Sequence, residues 1–134
     1  MPDTHQTARQ GCATEPPPRD LAKWVAEVPS ADFTDRPRRW AKHAILDWFG
    51  VTLAGATDPL VGILADDALD AGEAGNARLV GRKEKVTPGF AAMINGAASH
   101  ALDYDDVNKR LHGHPTVPVV PAILALAEQK GLAG

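Results

Sequence analysis

The sequence predicts a mainly α fold, a helical bundle-like domain with at most one short strand. Apolar residues recur at helical spacing in several segments, and prolines and glycines separate these segments. One run, Ala77–Val80, has the composition and flanking residues of a strand. With 134 residues, of which 44% are hydrophobic, the chain is large enough to bury one core.

The N-terminal part predicts a tail followed by a helix. Residues 1–18 are polar and end in three consecutive prolines, which supply no N–H to a helix or a sheet. We therefore expect a disordered tail over 1–18 and a helical domain over 19–134. The first helix of that domain is expected to start at Arg19 and to stop before Pro29.

A second, longer helix follows. Thr34 or Asp35 can cap its start, and Pro37 lies in its first turn, where a missing N–H costs nothing. Its side chains alternate between a charged face and an apolar one. The predicted apolar stripe consists of Trp40, Ala41, Ala44, Ile45, Trp48, Val51 and Thr52.

The remaining elements follow in order from proline and glycine boundaries. A third helix is expected over 59–72, followed by the strand 77–80 and a charged turn over 82–85. A helix rich in small residues is expected over about 90–102, and a last helix over about 117–130. Small side chains predict close contact between neighbouring helices.

Composition and charge exclude several classes of function. The 14 Lys and Arg residues against 17 Asp and Glu residues give a net charge of −3, which argues against nucleic-acid binding. The longest apolar run, 117–127, contains two prolines and is shorter than the ~20 residues of a membrane span, so no membrane partner is expected. Cys12 is the single cysteine and no apolar leader is present, so we expect a cytoplasmic chain without disulfides.

Reactive side chains concentrate in one block, residues 100–114, which holds three carboxylates and three imidazoles. Clustered carboxylates push their pKa values apart and histidine titrates near neutrality, so such a block suits acid–base chemistry. Two other interpretations stay open. The block can be a solvated helix end with a loop, or a metal site in which His112 and His114 join Asp103 or Asp106.

Five segments, in their order along the chain, resemble the MmgE/PrpD family. They are 46–56, 80–81, 91–100, 100–115 and 121–128. The resemblance covers about residues 21–134 and implies a lyase acting on a small di- or tricarboxylate, of the 2-methylcitrate dehydratase or cis-aconitate decarboxylase kind. It also implies an enzyme without metal or other cofactor, commonly dimeric, with its active site between an all-helical domain and a smaller lid domain.

The same resemblance implies the catalytic residues. The first Asp of the family's D-[YF]-D-D run corresponds to Asp103, and the His of its His–Pro pair corresponds to His114. Substrate-binding roles are expected for His100, Asp106 and Asn95, and no residue is expected to bind a metal. Some members carry Thr after the Asp pair where this chain carries Val107, which favours dehydration over decarboxylation.

Members of the family draw cationic groups and a second histidine from later parts of a longer chain. We therefore expect this chain to be an incomplete N-terminal portion of the helical domain, inactive alone. Its expected partners are a second copy, as in a dimer, or a complementary C-terminal fragment. Two alternatives remain: a non-catalytic helical interaction module, and a metal-dependent hydrolase built on His100, Asp103 and His114.

Overall fold

The structure, a computed structural model, describes residues 18–132 and confirms the mainly α prediction for them. The predicted tail lies outside the described residues except for Pro18, which begins the first helix. Contacts divide the chain into two units, one that ends at Thr34 and one that begins at Asp35.

The first unit contains helix α1 (Pro18–Glu27) and a short 3-10 turn (Ser30–Asp32). Pro29 adopts an extended conformation between them, so the helix ends where the proline predicts. Lys23 and Glu27 form an ion pair of 3.9 Å on the exposed surface of α1. Such an exposed pair adds little to stability.

In the second unit, one helix packs against all the other elements. The elements are α2 (Asp35–Gly55), α3 (Pro59–Asp70), β1 (Ala74–Arg78), β2 (Lys85–Val86), α4 (Pro88–His100) and α5 (Thr116–Lys130). Helix α4 contacts α2, α3, α5 and both strands. The core around it consists of Val61, Ala65, Ala68, Ala77, Leu79, Val86, Ala91, Ile94, Ala98 and Ala125. These mostly small side chains allow the close approach that the composition of α4 predicts.

The predicted strand is displaced and has a partner that was not predicted. The structure places β1 at Ala74–Arg78 instead of Ala77–Val80, antiparallel to β2 at Lys85–Val86, where a charged turn was expected. The backbone N–H of Val80 donates to the Asn95 side-chain oxygen of α4 at 2.9 Å. The chain thus leaves the sheet before Val80 because a helix side chain, not a strand, satisfies its N–H.

Glu84 stabilises the connection between β1 and β2 through hydrogen bonds. Arg82 donates from its guanidinium to the Glu84 carboxylate at 3.0 Å, and the Lys83 N–H donates to the same carboxylate at 3.0 Å. The backbone N–H of Glu84 itself and then Arg82 hold the pKa of the Glu84 carboxyl below its usual value.

Burial on α2 is confined to its C-terminal part, which corrects the predicted stripe. Trp48, Val51 and Thr52 are buried, whereas Trp40 and Ile45 are 64% and 44% exposed. Periodicity shows which side of a helix is apolar, but burial needs a neighbouring element, and α4 and α5 leave the first half of this side uncovered.

The described helices are short compared with the ~20 residues of a membrane span, or are not apolar enough for one. The apolar run over 117–127 lies in α5, which has only 15 residues. No single described helix is long and apolar enough to cross a membrane. Only α2 and α3 taken together reach that length and composition, and they meet at a bend of 86°.

The close contact between α2 and α4 yields a stability prediction. A Cβ atom at Gly55 would lie 2.0 Å from the backbone oxygen of Ala98, so Gly55→Ala would force the two helices apart. We expect this variant to lose about 1–3 kcal/mol in the free energy of unfolding, as overpacked sites do. Urea unfolding followed by circular dichroism measures the loss.

Gly50→Ala is the matched control, because Gly50 lies in the same helix and a Cβ there meets nothing within 4 Å. Replacing glycine in an open helical position should raise stability by roughly 0.5–1 kcal/mol. Equal stability of the two variants would contradict the helix contact described here.

Candidate active site

Four side chains from the end of α4 and the loop before α5 meet in one place. They form the His/Asp cluster: His100, Asp103, Asp105 and His114. One nitrogen or oxygen atom from each residue lies within 4.8 Å of the others. His100 is the last residue of α4 and His114 lies two residues before α5, so the packing of these two helices determines where both imidazoles lie.

Asp105 occupies the centre of the cluster, and its side chain has no exposure to solvent. Its Oδ1 lies 3.0 Å from Nδ1 of His100, a hydrogen-bond contact. Its Oδ2 lies 2.9 Å from Nδ1 of His114, but these two atoms are not aligned for a hydrogen bond. A carboxylate out of contact with water needs polar or charged partners, and the two imidazoles provide them.

The two predicted catalytic residues are brought close together. Nε2 of His114 lies 3.9 Å from Oδ1 of Asp103, whose side chain is 80% exposed while that of His114 is 28% exposed. The rings of His100 and His114 meet edge to face, with centroids 4.7 Å apart. His114 therefore lies between a buried carboxylate and an exposed one, with its second nitrogen toward the exposed one.

The turn after α4 depends on an unusual backbone conformation. Asp103 has a φ of 52°, in the left-handed region, and its N–H donates to the carbonyl of His100 at 3.0 Å. Aspartate accepts this conformation more readily than most residues. The reversal turns the chain back under the end of α4, which places Asp105 against His100.

Asn108 closes the loop that returns the chain to the cluster. Its side-chain oxygen accepts the N–H groups of Arg110 and Leu111 at 2.9 and 3.1 Å. Its own backbone N–H donates to the carbonyl of Gly113 at 2.9 Å. Asparagine commonly stabilises turns through such contacts with the backbone that follows it. The closed loop places His114 beside Asp105.

Asp106 joins the loop to α5. Its Oδ1 accepts both the backbone N–H of Thr116, at 3.2 Å, and the Thr116 hydroxyl. Asp106 also borders an open cavity of about 670 Å³ whose walls include Trp40 and Tyr104. These hydrogen bonds of Asp106 go to Thr116 and not to an imidazole, and the contact with substrate expected for it stays a prediction.

Asn95 lies apart from the cluster. Its side-chain oxygen accepts from Val80 and its amide donates to the carbonyl of Arg78, each at 2.9 Å. Asn95 therefore connects α4 to the end of β1 and the segment after it through two hydrogen bonds. The substrate-binding role expected for it remains a prediction, and both the oxygen and the NH₂ group of its side chain are already hydrogen-bonded to backbone.

Sequence reasoning placed Asp105 in the reactive block but did not select it as a site residue. The available signal was its position between Asp103 and Asp106 in an acidic run. Its burial has no periodic signature, because the loop belongs to neither helix. The metal set suggested around His112 is corrected: His112 is exposed and lies outside the His/Asp cluster.

The comparisons with known proteins confirm the resemblance. The family model of the MmgE/PrpD N-terminal domain matches residues 19–134. Cis-aconitate decarboxylase-like protein oryM of Aspergillus oryzae is 28% identical over 109 residues, which are 81% of this chain and 23% of that protein. Cis-aconitate decarboxylase of Aspergillus terreus is 27% identical over 81% of this chain and 22% of its own length.

The human relative is identical to this chain at a similar fraction of positions. Cis-aconitate decarboxylase of Homo sapiens is 31% identical over 96 residues, which are 71% of this chain and 20% of that protein. The chain therefore spans about a fifth of the length of these curated relatives.

The four side chains lie close enough together to be a candidate cation site, but we predict that the cluster holds no stoichiometric zinc, iron or manganese. The resemblance to the MmgE/PrpD family implies an enzyme without metal, and Nδ1 of His100 is already in a hydrogen-bond contact with Asp105. Elemental analysis of the purified protein is expected to find far less than one metal per chain. One metal per chain, lost in His114→Ala and retained in His112→Ala, would contradict this prediction.

Proposed function

Because the chain belongs to the MmgE/PrpD family, we propose that it supplies the proton-transfer part of a lyase acting on a small di- or tricarboxylate, with dehydration as the first candidate. The observation that carries the proposal is the position of His114, with Nδ1 2.9 Å from the buried Asp105 and Nε2 3.9 Å from the exposed Asp103. An imidazole held in this way can exchange a proton with a substrate that enters from the Asp103 side.

In a dehydration, a base removes a proton from a carbon next to a carboxylate. The electron pair of that C–H bond forms the double bond, and the hydroxyl group on the neighbouring carbon leaves as water when the protonated base returns the proton to it. His114 takes the carbon-bound proton at Nε2, and Asp103 stabilises the imidazolium that results.

Decarboxylation is the second candidate, favoured by the names of the curated relatives, which are cis-aconitate decarboxylases or similar to them. In that reaction the C–C bond to a carboxylate breaks, carbon dioxide leaves, and the carbanion takes a proton from the His114 imidazolium. Both reactions use the same proton position. Val107, which stands where some family members have Thr, favours dehydration.

Either reaction develops negative charge on a substrate that is already anionic, and cationic groups are needed to stabilise it. Two candidate cations of this chain are engaged elsewhere: Arg78 pairs with Glu128 at 3.3 Å and Arg82 with Glu84 at 3.0 Å. Because the resemblance to the MmgE/PrpD family implies cationic groups from later parts of a longer chain, we infer that such a part supplies the cations which hold the substrate carboxylates.

The proposal also includes a protein partner, a second copy of this chain or a complementary C-terminal fragment. An apolar groove runs between α2 and α5, with Ile45 and Ile123 44% and 60% exposed on its walls. Apolar surface of this kind commonly marks a place where another polypeptide packs.

We therefore predict self-association or binding of such a fragment, measured by sedimentation over a range of concentrations. Ile123→Asp should shift the chain toward monomer by placing a charge in the groove. Ile63→Asp, at an exposed position on α3 outside the groove, is the control and should change little. A monodisperse monomer at high concentration, with no binding of a hydrophobic dye, would contradict the prediction.

The catalytic residues are tested in a protein in which this chain is extended to the length of its relatives. Asp103→Asn and His114→Gln should each lower the rate with 2-methylcitrate, citrate or cis-aconitate by roughly 10²–10⁴-fold, the usual contribution of general acid–base catalysis. Asp58→Asn, which retains the cap of α3, is the control and should keep wild-type activity.

The 134-residue chain alone should show no measurable turnover of the three substrates, because it lacks the cationic partners. Wild-type rates in both extended variants would refute the assignment of Asp103 and His114. Robust activity of the short chain would refute the need for outside cations.

A further inference from the structure

We propose that Asp105 is the positioning residue of the His/Asp cluster, and that its buried carboxylate holds both His100 and His114 with the hydrogen on Nδ1. The carboxylate spans the two rings, with one oxygen 3.0 Å from Nδ1 of His100 and the other 2.9 Å from Nδ1 of His114. Both imidazoles therefore keep their Nε2 lone pairs for proton transfer.

The assignment follows from the donors and acceptors that the side chains possess. An ionised carboxylate has only acceptor sites, whereas a neutral imidazole has one N–H donor and one acceptor nitrogen. The nitrogen that faces a carboxylate is consequently the one that carries the hydrogen. For His100 the contact is a hydrogen bond, so its Nδ1–H donates to Asp105.

Both nitrogens of His114 face a carboxylate, and electrostatics decides its tautomer. Nδ1 lies 2.9 Å from the buried Asp105, in a contact that is not aligned as a hydrogen bond, whereas Nε2 lies 3.9 Å from Asp103, whose charge is screened by water because its side chain is 80% exposed. An Nδ1 lone pair 2.9 Å from a carboxylate oxygen would place two electron-rich atoms against each other in a site that excludes water. An N–H group at the same place is attracted to the oxygen even when it is bent away from it. Low local polarity strengthens this preference.

Asp105 can fix the orientation of the two rings because its own side chain is buried and the residues on either side of it are fixed. Its side chain is completely buried, and the neighbouring Asp106 is bonded to Thr116 at the start of α5. The left-handed Asp103 fixes the chain on its other side. A carboxylate that cannot rotate toward water keeps the imidazoles in one orientation without touching the substrate itself.

The importance of this tautomer for turnover rests on the proposed function, in which His114 exchanges a proton at Nε2. The position of the hydrogen does not depend on the proposed function, because it is a property of the chain without substrate. In an enzyme whose catalytic histidine is held by a buried aspartate, replacing that aspartate by asparagine leaves the geometry intact but traps the wrong tautomer and costs ~10⁴-fold in kcat.

Nitrogen-15 NMR of the 134-residue chain with labelled histidine tests the proposal directly, because the ring shifts report which nitrogen carries the hydrogen. The spectra are recorded at about pH 8.5, where ordinary imidazoles with a pKa of about 6.5 are neutral. His100→Gln and His114→Gln assign the two signals by their loss. Both histidines are expected in the Nδ1–H form in the unsubstituted chain.

Asp105→Asn gives the sharpest expectation. An amide offers one oxygen and one NH₂ group, so it can accept from one imidazole while it donates to the other. One of the two histidines should therefore change to the Nε2–H form and the other should stay. Asp106→Asn is the matched control, because its remaining oxygen can still accept from Thr116, and neither histidine should change.

An Nε2–H signal for either histidine in the unsubstituted chain would overturn the proposal, as would unchanged tautomers in a folded Asp105→Asn variant. If circular dichroism shows that this variant loses its helices, the spectrum of the unsubstituted chain decides alone. Loss of turnover is not used as a readout. Failure of the Asp103 and His114 activity test would thus not affect the conclusion about the tautomers. Failure of the tautomer test would likewise not affect the assignment of Asp103 and His114.

Discussion

A carboxylate buried away from water needs polar or charged partners, and this requirement determines the conformation of the chain between α4 and α5. Asp105 meets it by lying against two imidazoles, one at the end of α4 and one just before α5. The left-handed turn at Asp103 and the loop closed by Asn108 bring these partners to it. Each local feature of the loop thus serves a single electrostatic requirement, which explains why an aperiodic segment has a defined conformation.

The same arrangement depends on how closely the helices approach each other. Gly55 of α2 faces the backbone of Ala98 on α4 without room for a Cβ, and a Cβ at Gly96 of α4 would lie 3.3 Å from the carbonyl of Val117 on α5. Glycine at these positions costs helix stability but allows backbones to meet. Since His100 ends α4 and His114 precedes α5, close packing of the two helices limits the distance between the imidazoles.

The cluster has the parts needed for moving a proton and lacks those needed for binding an anion. Its charged members within the described residues are carboxylates and imidazoles, and the ion pairs of Arg78 and Arg82 are made with glutamates elsewhere. A chain that spans about a fifth of its curated relatives is consistent with this division. Proton transfer needs a group within hydrogen-bond reach of the proton, roughly 2.6–3.2 Å between heavy atoms, and one folded segment can supply such a group. Binding of several carboxylates needs cations around the substrate, which a second segment can bring.

The sequence by itself determined the features that depend on local pattern. The order and approximate bounds of the five helices within residues 18–132, and the family, follow from periodicity, proline and glycine boundaries, and motif order. Only the tertiary structure decided that Trp40 and Ile45 are exposed, that β1 ends before Leu79, and that Asp105 lies between the imidazoles. Each of these depends on a neighbour distant in sequence. Exposure on α2 depends on whether another helix covers it, the end of β1 depends on Asn95 accepting the N–H of Val80, and the position of Asp105 depends on a loop that folds back. Burial and hydrogen-bond partners across such distances have no period in the sequence, so they emerge only when the elements pack.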